Sequence, residues 1–239
     1  MQNLLVTGSK GLLGTALKPL LDKLDFKVSY VDREEMDLTS KDSIKSAMKV
    51  YSPHIVLHLG AYTDVARAES DKKECFRVNA WGTGELAKHV PHMIYMSTEY
   101  VFDGEKGNYN EGAVANPVNF YGLTKLLGEY EARKARRHSV IRTLFKPRPF
   151  KHAVVPTDMW TSGDYIDLII PKIVLAVKNY MTLPEIIHIG TGKKNLYELA
   201  KKTRKDVRAI KRMSLTIRLP RVTSLDTTLW EFLKYEPTE

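Results

Sequence analysis

Gly8-Ser9-Lys10-Gly11-Leu12-Leu13-Gly14 follows the apolar run Leu4 to Val6 and opens a stretch where Leu12, Leu13, Ala16, Leu17, Leu20, Leu21 and Leu24 recur at helical spacing. A strand that turns through glycine directly into a helix is the start of a βαβ unit, which commits the chain to a parallel sheet. The first glycine permits the tight turn, the second lets backbone N–H groups approach an anion, and the third lets helix and strand pack closely. The helix N-terminus then offers the positive end of its dipole to a pyrophosphate. Asp32 closes the next apolar run 18 residues after Gly14, where a carboxylate accepts hydrogen bonds from an adenosine ribose. Arg33 and Lys10 oppose it, because both would balance a 2′-phosphate. Two cations against one carboxylate favour NADP(H), with NAD(H) kept open.

Short apolar runs keep alternating with helical patterns through two-thirds of the chain. Strands are expected at Leu4 to Val6, Val28 to Val31, Ile55 to Leu59, Met93 to Met96 and Val140 to Ile141. Pro19 lies inside the first helix, where proline removes a donor and crowds the preceding turn, so a kink is expected. Ile44, Ala47, Met48 and Tyr51 mark a second helix, capped by Thr39 or Ser40 and stopped before Pro53. A third should run from Lys72 to Lys88, and a fourth should carry Tyr121 and end near Arg137. Beyond Arg142, Pro147, Pro149 and Pro156 punctuate an irregular stretch. A helix at Tyr165 to Val177, a strand at Ile186 to Ile189, a helix at Asn195 to Thr203 and a short capped helix from Asp226 to Leu233 follow. The expected architecture is a doubly wound α/β domain over residues 1–143 and a small substrate-binding lobe over 144–239, interleaved with the end of the sheet.

A chain of 239 residues accommodates one such domain with an appended lobe, not two large domains. Hydrophobic residues at 43% and charged residues at 27% exclude a disordered chain. No apolar run nears the ~20 residues of a bilayer span, so no membrane partner is expected. Met1 to Gly8 passes straight into a strand pattern and leaves no space for a signal peptide, which makes a cytoplasmic location the expectation. The single cysteine, Cys75, excludes a disulfide framework and is expected to pack on a helix. His54, His58, His89, His92 and His188 lack metal-ligand spacing, and no metal site is expected. The net charge of +9 attracts polyanions. Arg133, Lys134, Arg136 and Arg137 suit a helix C-terminus, whereas Lys201, Lys202, Arg204, Lys205, Arg208, Lys211 and Arg212 fall where substrate should lie. No nucleic-acid-binding module accompanies them, so small phosphorylated ligands are the expected partners.

Tyr121 and Lys125, in Tyr121-Gly122-Leu123-Thr124-Lys125, stand at i, i+4 on one helix face. An ammonium beside a phenol favours the phenolate and lowers its pKa, making the tyrosine a usable acid or base near neutrality. Such a pair alone is a common solvent-facing pattern; the upstream glycine turn gives it chemical meaning. With its GxxGxxG spacing, the chain resembles the extended short-chain dehydrogenase/reductase superfamily. Within that superfamily it resembles the dTDP-4-dehydrorhamnose reductase family. The resemblance is carried by Met96-Ser97-Thr98-Glu99-Tyr100-Val101-Phe102-Asp103-Gly104, Asp64-Val65-Ala66-Arg67-Ala68-Glu69 and Val140-Ile141-Arg142-Thr143. It returns in Gly190-Thr191-Gly192 and in Leu219-Pro220-Arg221-Val222-Thr223-Ser224-Leu225-Asp226.

This resemblance implies a Rossmann fold and an NAD(P)H-dependent oxidoreductase that reduces a 4-keto-6-deoxy nucleotide-sugar, with a homodimer as an allowed assembly. Carried over residue by residue, Thr98 orients the substrate carbonyl and Tyr121 supplies the proton. Lys125 tunes the tyrosine and holds the nicotinamide ribose, while the hydride belongs to the cofactor. Asp37 and Leu38 form the adenine-contacting turn, Gly60, Ala61, Tyr62 and Thr63 run along the cofactor, and Asn79 and Ser97 support the site. Glu99, Tyr100, Phe102, Arg142 and Arg221 join Thr98 as expected substrate contacts.

The chain departs from the family where substrate is read. Glu99 stands in place of the usual aspartate, and Lys146-Pro147-Arg148-Pro149-Phe150 replaces a Trp-Val-Tyr type continuation. The chain is also short, and the missing length falls after Arg142. Hydride chemistry is therefore better supported than any particular sugar. Two alternatives stay open: a related nucleotide-sugar epimerase, and a non-catalytic cofactor-binding subunit resembling the regulatory beta subunit of methionine adenosyltransferase. Retention of Thr98, Tyr121 and Lys125 argues for the enzyme.

Overall fold

The computed structural model describes residues 1–233, so the last six positions of the expected lobe lie outside the described residues. The strands are β1 (Gln2–Thr7), β2 (Phe26–Val31), β3 (Ile55–His58), β4 (His92–Thr98), β5 (Arg137–Thr143), β6 (Phe145–Lys146), β7 (Val154–Pro156), β8 (Trp160–Thr161), β9 (Asp164–Tyr165), β10 (Ile186–His188), β11 (Lys194–Asn195) and β12 (Arg208–Ile210). The helices are α1 (Leu12–Leu21), α2 (Lys41–Tyr51), α3 (Lys72–Phe76), α4 (Thr83–Ala87), α5 (Phe120–Ala132), α6 (Ile166–Lys178), α7 (Leu196–Lys201) and α8 (Thr228–Leu233). No helix among the described residues is long and apolar enough to cross a membrane.

Six strands form one parallel sheet in the order β2-β1-β3-β4-β5-β10. Successive strand residues point to opposite faces, and here both faces are apolar. Leu4, Val6, Ile55, Leu57, Ile94 and Met96 pack with α1 and α6 on one side, while Leu5, Val56, Met93 and Tyr95 pack with α2 and α4 on the other. Burying each of these large side chains stabilises the fold by ~1.5–3 kcal/mol before entropy is counted. This two-sided burial is why the strands read as continuous apolar runs.

Several elements differ from their expected limits. Helix α5 ends at Ala132 rather than near Arg137, because the N–H groups of Arg136 and Arg137 donate to Val90 and Pro91 carbonyls and lead into β5. Pro19 stands in the last turn of α1, which closes at Leu21 and leaves Leu24 beyond it. The segment expected as one helix over Lys72 to Lys88 carries a π turn at Arg77–Gly82 between α3 and α4. The stretch read as irregular holds β6 to β9: β6 pairs with β9, while β7 and β8 pair with β12 and β11 further along the chain. Strands of two or three residues are too short to show a period. Finally, β10 returns to the main sheet beside β5, and α6 packs on α1, so the later third of the chain contributes to the core of the first.

Candidate active site

A cleft of about 910 Å³ opens over the C-terminal ends of β1 and β3, where the strand order reverses, and continues across β4 and β5. Open parallel sheets place ligands at this crevice. Gly8 adopts φ +65°, and a Cβ there would lie 2.7 Å from the Gly60 nitrogen. At Gly14 a Cβ would lie 2.6 Å from the Gly8 carbonyl oxygen, so turn and helix meet without room for a side chain. Gly11 differs: a Cβ there would meet only the Gly8 oxygen, at 3.2 Å, and the space before it is open. Gly11 is also the N-cap of α1, with no capping side chain and no acidic residue in the first turn. The Gly11 N–H donates to the Gly8 carbonyl at 3.1 Å, and the N–H groups of the first turn of α1, with the helix dipole, fit a pyrophosphate.

The rim beyond the turn corrects the simple charge count. The Asp32 carboxylate accepts backbone N–H groups from Lys10 at 2.8 Å and Arg33 at 2.9 Å. Lys10 Nζ pairs with Glu34 at 2.5 Å, and Arg33 reaches Glu74 at 3.8 Å. Two further carboxylates therefore hold the two cations. Only the fold brings Glu74 to Arg33. Asp37 and Leu38 line the next part of the cleft. Burial raises the Asp37 carboxyl, but hydrogen bonds from the Thr39 N–H and hydroxyl outweigh it and hold the group below its usual range.

Gly60, Ala61, Tyr62 and Thr63 line the opposite wall. Asn79 is buried behind them: its amide oxygen accepts the Tyr62 N–H at 2.8 Å, and its NH₂ donates to the Tyr62 carbonyl at 3.1 Å and to Thr124 at 3.0 Å. The π turn that carries Asn79 is the kind of local irregularity that often re-aims a functional side chain. Sequence reasoning missed the chain of buried polar groups beneath this wall. The Thr7 hydroxyl meets His58 Nδ1 at 2.7 Å and accepts the Gly60 N–H at 3.0 Å, while His58 Nε2 meets the Thr83 hydroxyl at 3.1 Å. Burial pushes His58 down to about 3, so the ring is neutral and structural. A lone histidine inside a wholly apolar strand was the available signal.

The chemistry end is built by β4 and α5. Asn119 caps α5 by accepting the Gly122 N–H at 2.8 Å, which sets the helix phase. Gly122 and Gly128 let the helix approach Tyr100 and Tyr95 closely. Tyr121, partly buried, then lines the cleft with Thr98, Tyr100, Ser97 and Lys125. The Thr98 hydroxyl accepts the Tyr100 N–H at 3.2 Å, which leaves its own proton for a ligand or for the tyrosine. Lys125 is buried, donates to the Met96 carbonyl at 2.7 Å and lies 4.1 Å over the Tyr95 ring.

Burial, not the lysine, governs Tyr121. It pushes the phenol up to about 12, with a hydrogen bond from the Thr98 hydroxyl as the opposing influence. Burial also draws Lys125 down to about 7, against the pull of Glu129. The expectation that Lys125 lowers the tyrosine pKa therefore does not hold in this structure, because the ammonium is held by Met96 and weakened by its own desolvation.

Glu99, Phe102, Arg142 and Arg221 stand outside the cleft lining. Glu99 is buried and accepts from the Thr161 hydroxyl at 2.8 Å and the Thr223 hydroxyl at 2.5 Å. Burial raises it to about 7. Phe102 stacks on Tyr109 at 4.2 Å. Arg142 forms a buried two-pronged pair with Glu129, at 2.9 and 2.7 Å, and Glu129 also accepts from Ser97 at 2.5 Å. Arg221 lines a smaller separate cavity with Arg212 and Arg218. Cys75 is buried beside Thr124. Among the described residues no cluster of His, Cys, Asp or Glu is arranged to hold a metal ion.

A family model described as the RmlD substrate binding domain matches residues 1–145. The dTDP-4-dehydrorhamnose reductase of Aggregatibacter actinomycetemcomitans is 32% identical over 185 residues, covering 75% of this chain and 58% of that protein. Methionine adenosyltransferase 2 subunit beta of Rattus norvegicus is 30% identical over 139 residues, covering 54% and 42%. The chain thus spans about half the length of the curated relatives it matches. In structure, the dTDP-4-dehydrorhamnose reductase of Bacillus anthracis in complex with NADP superposes with a TM-score of 0.85 at 20% identity, covering 99% of this chain and 94% of the other. The fold therefore extends through the later third, where sequence likeness has faded.

Proposed function

The chain belongs to the family of the RmlD substrate binding domain, and from that premise we propose that it is an NAD(P)H-dependent reductase of a 4-keto-6-deoxy nucleotide-sugar. One observation carries the reading: a single cleft joins the open glycine turn to Thr98, Tyr121 and Lys125. When bound, the dinucleotide supplies the hydride. Gly8, Gly11 and Gly14 would hold its pyrophosphate, Asp32 its ribose, and Lys10 with Arg33, once released from Glu34 and Glu74, a 2′-phosphate. The NADP held by the Bacillus anthracis reductase supports the same preference.

Thr98 would turn its hydroxyl proton from Tyr121 to the substrate carbonyl oxygen and so fix its orientation. Tyr121, protonated at all ordinary pH values, would deliver a proton to that oxygen as negative charge develops there. Lys125 would hold the nicotinamide ribose. Ser97, Glu129 and Arg142 form a buried hydrogen-bonded brace that fixes the end of β4 against α5.

The test is NADPH oxidation by the purified protein with dTDP-4-keto-6-deoxy sugars as substrates. Loss of NADPH absorbance that requires Tyr121 is the expected result. Tight cofactor binding with no turnover on any keto-sugar would instead favour the binding-subunit reading.

A further inference from the structure

Lys146 is one of the residues that replace the family's usual continuation after Arg142-Thr143. Its place is fixed from two sides. Thr143 pairs with Thr98 at the end of the sheet, and Lys146 pairs with Tyr165 in β6 and β9. Three residues past Thr143, at no more than ~3.3 Å each, it stands within ~10 Å of the end of β5. There it lines the cleft together with Thr98, Tyr100 and Tyr121.

The lysine is partly buried, yet its ammonium has no hydrogen-bond acceptor or ion-pair partner among the described residues. The carboxylate whose charge acts on it is Glu99, whose two oxygens already accept from Thr161 and Thr223. Lys125, the other lysine at this end, is tied to Met96. A sheltered cation without an acceptor is costly to keep, and an ammonium prefers an oxyanion to the neutral hydroxyls of a hexose.

We propose that Lys146 selects the substrate by binding an oxyanion of the nucleotide-sugar. This rests on the nucleotide-sugar part of the reading above, and a ring carboxylate would take the place of its 6-deoxy methyl group. The oxyanion has two chemical sources: a carboxylate on the sugar ring, or the phosphate next to the sugar.

Calorimetric titration of the protein saturated with NADP⁺ separates them, with dTDP-glucose and dTDP-glucuronate as probes. Lys146→Met is expected to weaken binding of a probe by ~10-fold or more, the scale of a lost hydrogen bond to a charged group. Lys146→Arg should recover part of it, and NADP⁺ affinity should be unchanged. A loss confined to dTDP-glucuronate assigns the carboxylate, and an equal loss for both probes assigns the phosphate. Wild-type affinity for both probes in Lys146→Met overturns the assignment, as does a parallel loss of NADP⁺ binding. A wild type that takes NADP⁺ and neither probe overturns the nucleotide-sugar reading, and the inference with it.

Discussion

Lys125 donates its ammonium to the carbonyl oxygen of Met96 at 2.7 Å, and no hydrogen bond joins it to Tyr121 one turn earlier among the described residues. The pair shares a helix face, but tertiary packing aims the lysine at the β4 backbone. A phenol held near 12 is a proton store, which suits reduction better than the reverse reaction.

Tyr121→Phe keeps the ring and its edge-to-face contact with Tyr100 while removing the transferable proton. The reductase kcat should fall by ~10²- to 10⁴-fold, with NADPH affinity from fluorescence titration nearly unchanged. Wild-type turnover in this variant would remove Tyr121 from the mechanism.

The pH profile should report Lys125. Its folded pKa of about 7 means that it is charged below that pH and neutral above it. Only the charged form has three N–H donors, enough for the Met96 carbonyl and the nicotinamide ribose hydroxyls together. Accordingly kcat/KM for reduction should decline as pH rises through about 7, and this limb should vanish in Lys125→Met. An identical limb in both proteins would assign the titration to another group.

Gly11→Leu separates binding from folding. A Cβ at Gly11 meets only one backbone oxygen, at 3.2 Å, whereas at Gly14 it collides with backbone at 2.6 and 2.7 Å. Gly11→Leu should therefore unfold near the wild-type temperature and bind no dinucleotide, while Gly14→Leu should lower the Tm or fail to fold. Retained cofactor affinity in Gly11→Leu would move the pyrophosphate elsewhere.

Cofactor preference rests on the rim cations. Arg33→Ala should weaken NADPH by ~10-fold or more, the scale of a charged hydrogen bond, with little change for NADH. Glu34→Gln frees Lys10 from its 2.5 Å partner and should tighten NADPH selectively. Equal effects on both cofactors would place Arg33 and Lys10 away from the 2′ position.

Glu99 ties β4 to two threonines of the later third, and burial raises it from 4.5 to about 7. A raised folded pKa means that the folded protein binds the extra proton between those values. This contribution to stability is complete below pH 4.5 and is lost as pH rises through about 7, amounting to about 3 kcal/mol. Urea denaturation across that window should show the slope in the wild type and a flatter profile in Glu99→Gln. Equal slopes would mean that Glu99 titrates as an exposed acid.

The sequence alone determined the parallel sheet, the glycine turn and the helix phase of Tyr121 and Lys125, because each follows from spacing over a few residues. Strands buried on both faces must be apolar throughout, and a turn as tight as Gly8 admits no side chain. What the sequence could not show was where long-range packing sends polar groups. Glu34 and Glu74 hold the cations that seemed free for a phosphate, and Glu99 and Arg142 turn from the cleft to Thr161, Thr223 and Glu129. Lys125 reaches Met96, and the buried Thr7, His58 and Thr83 chain steadies Gly60. A polar side chain removed from water takes whatever partner the fold brings within about 3 Å, and that partner lies tens of residues away in the chain. Only the tertiary structure decides it.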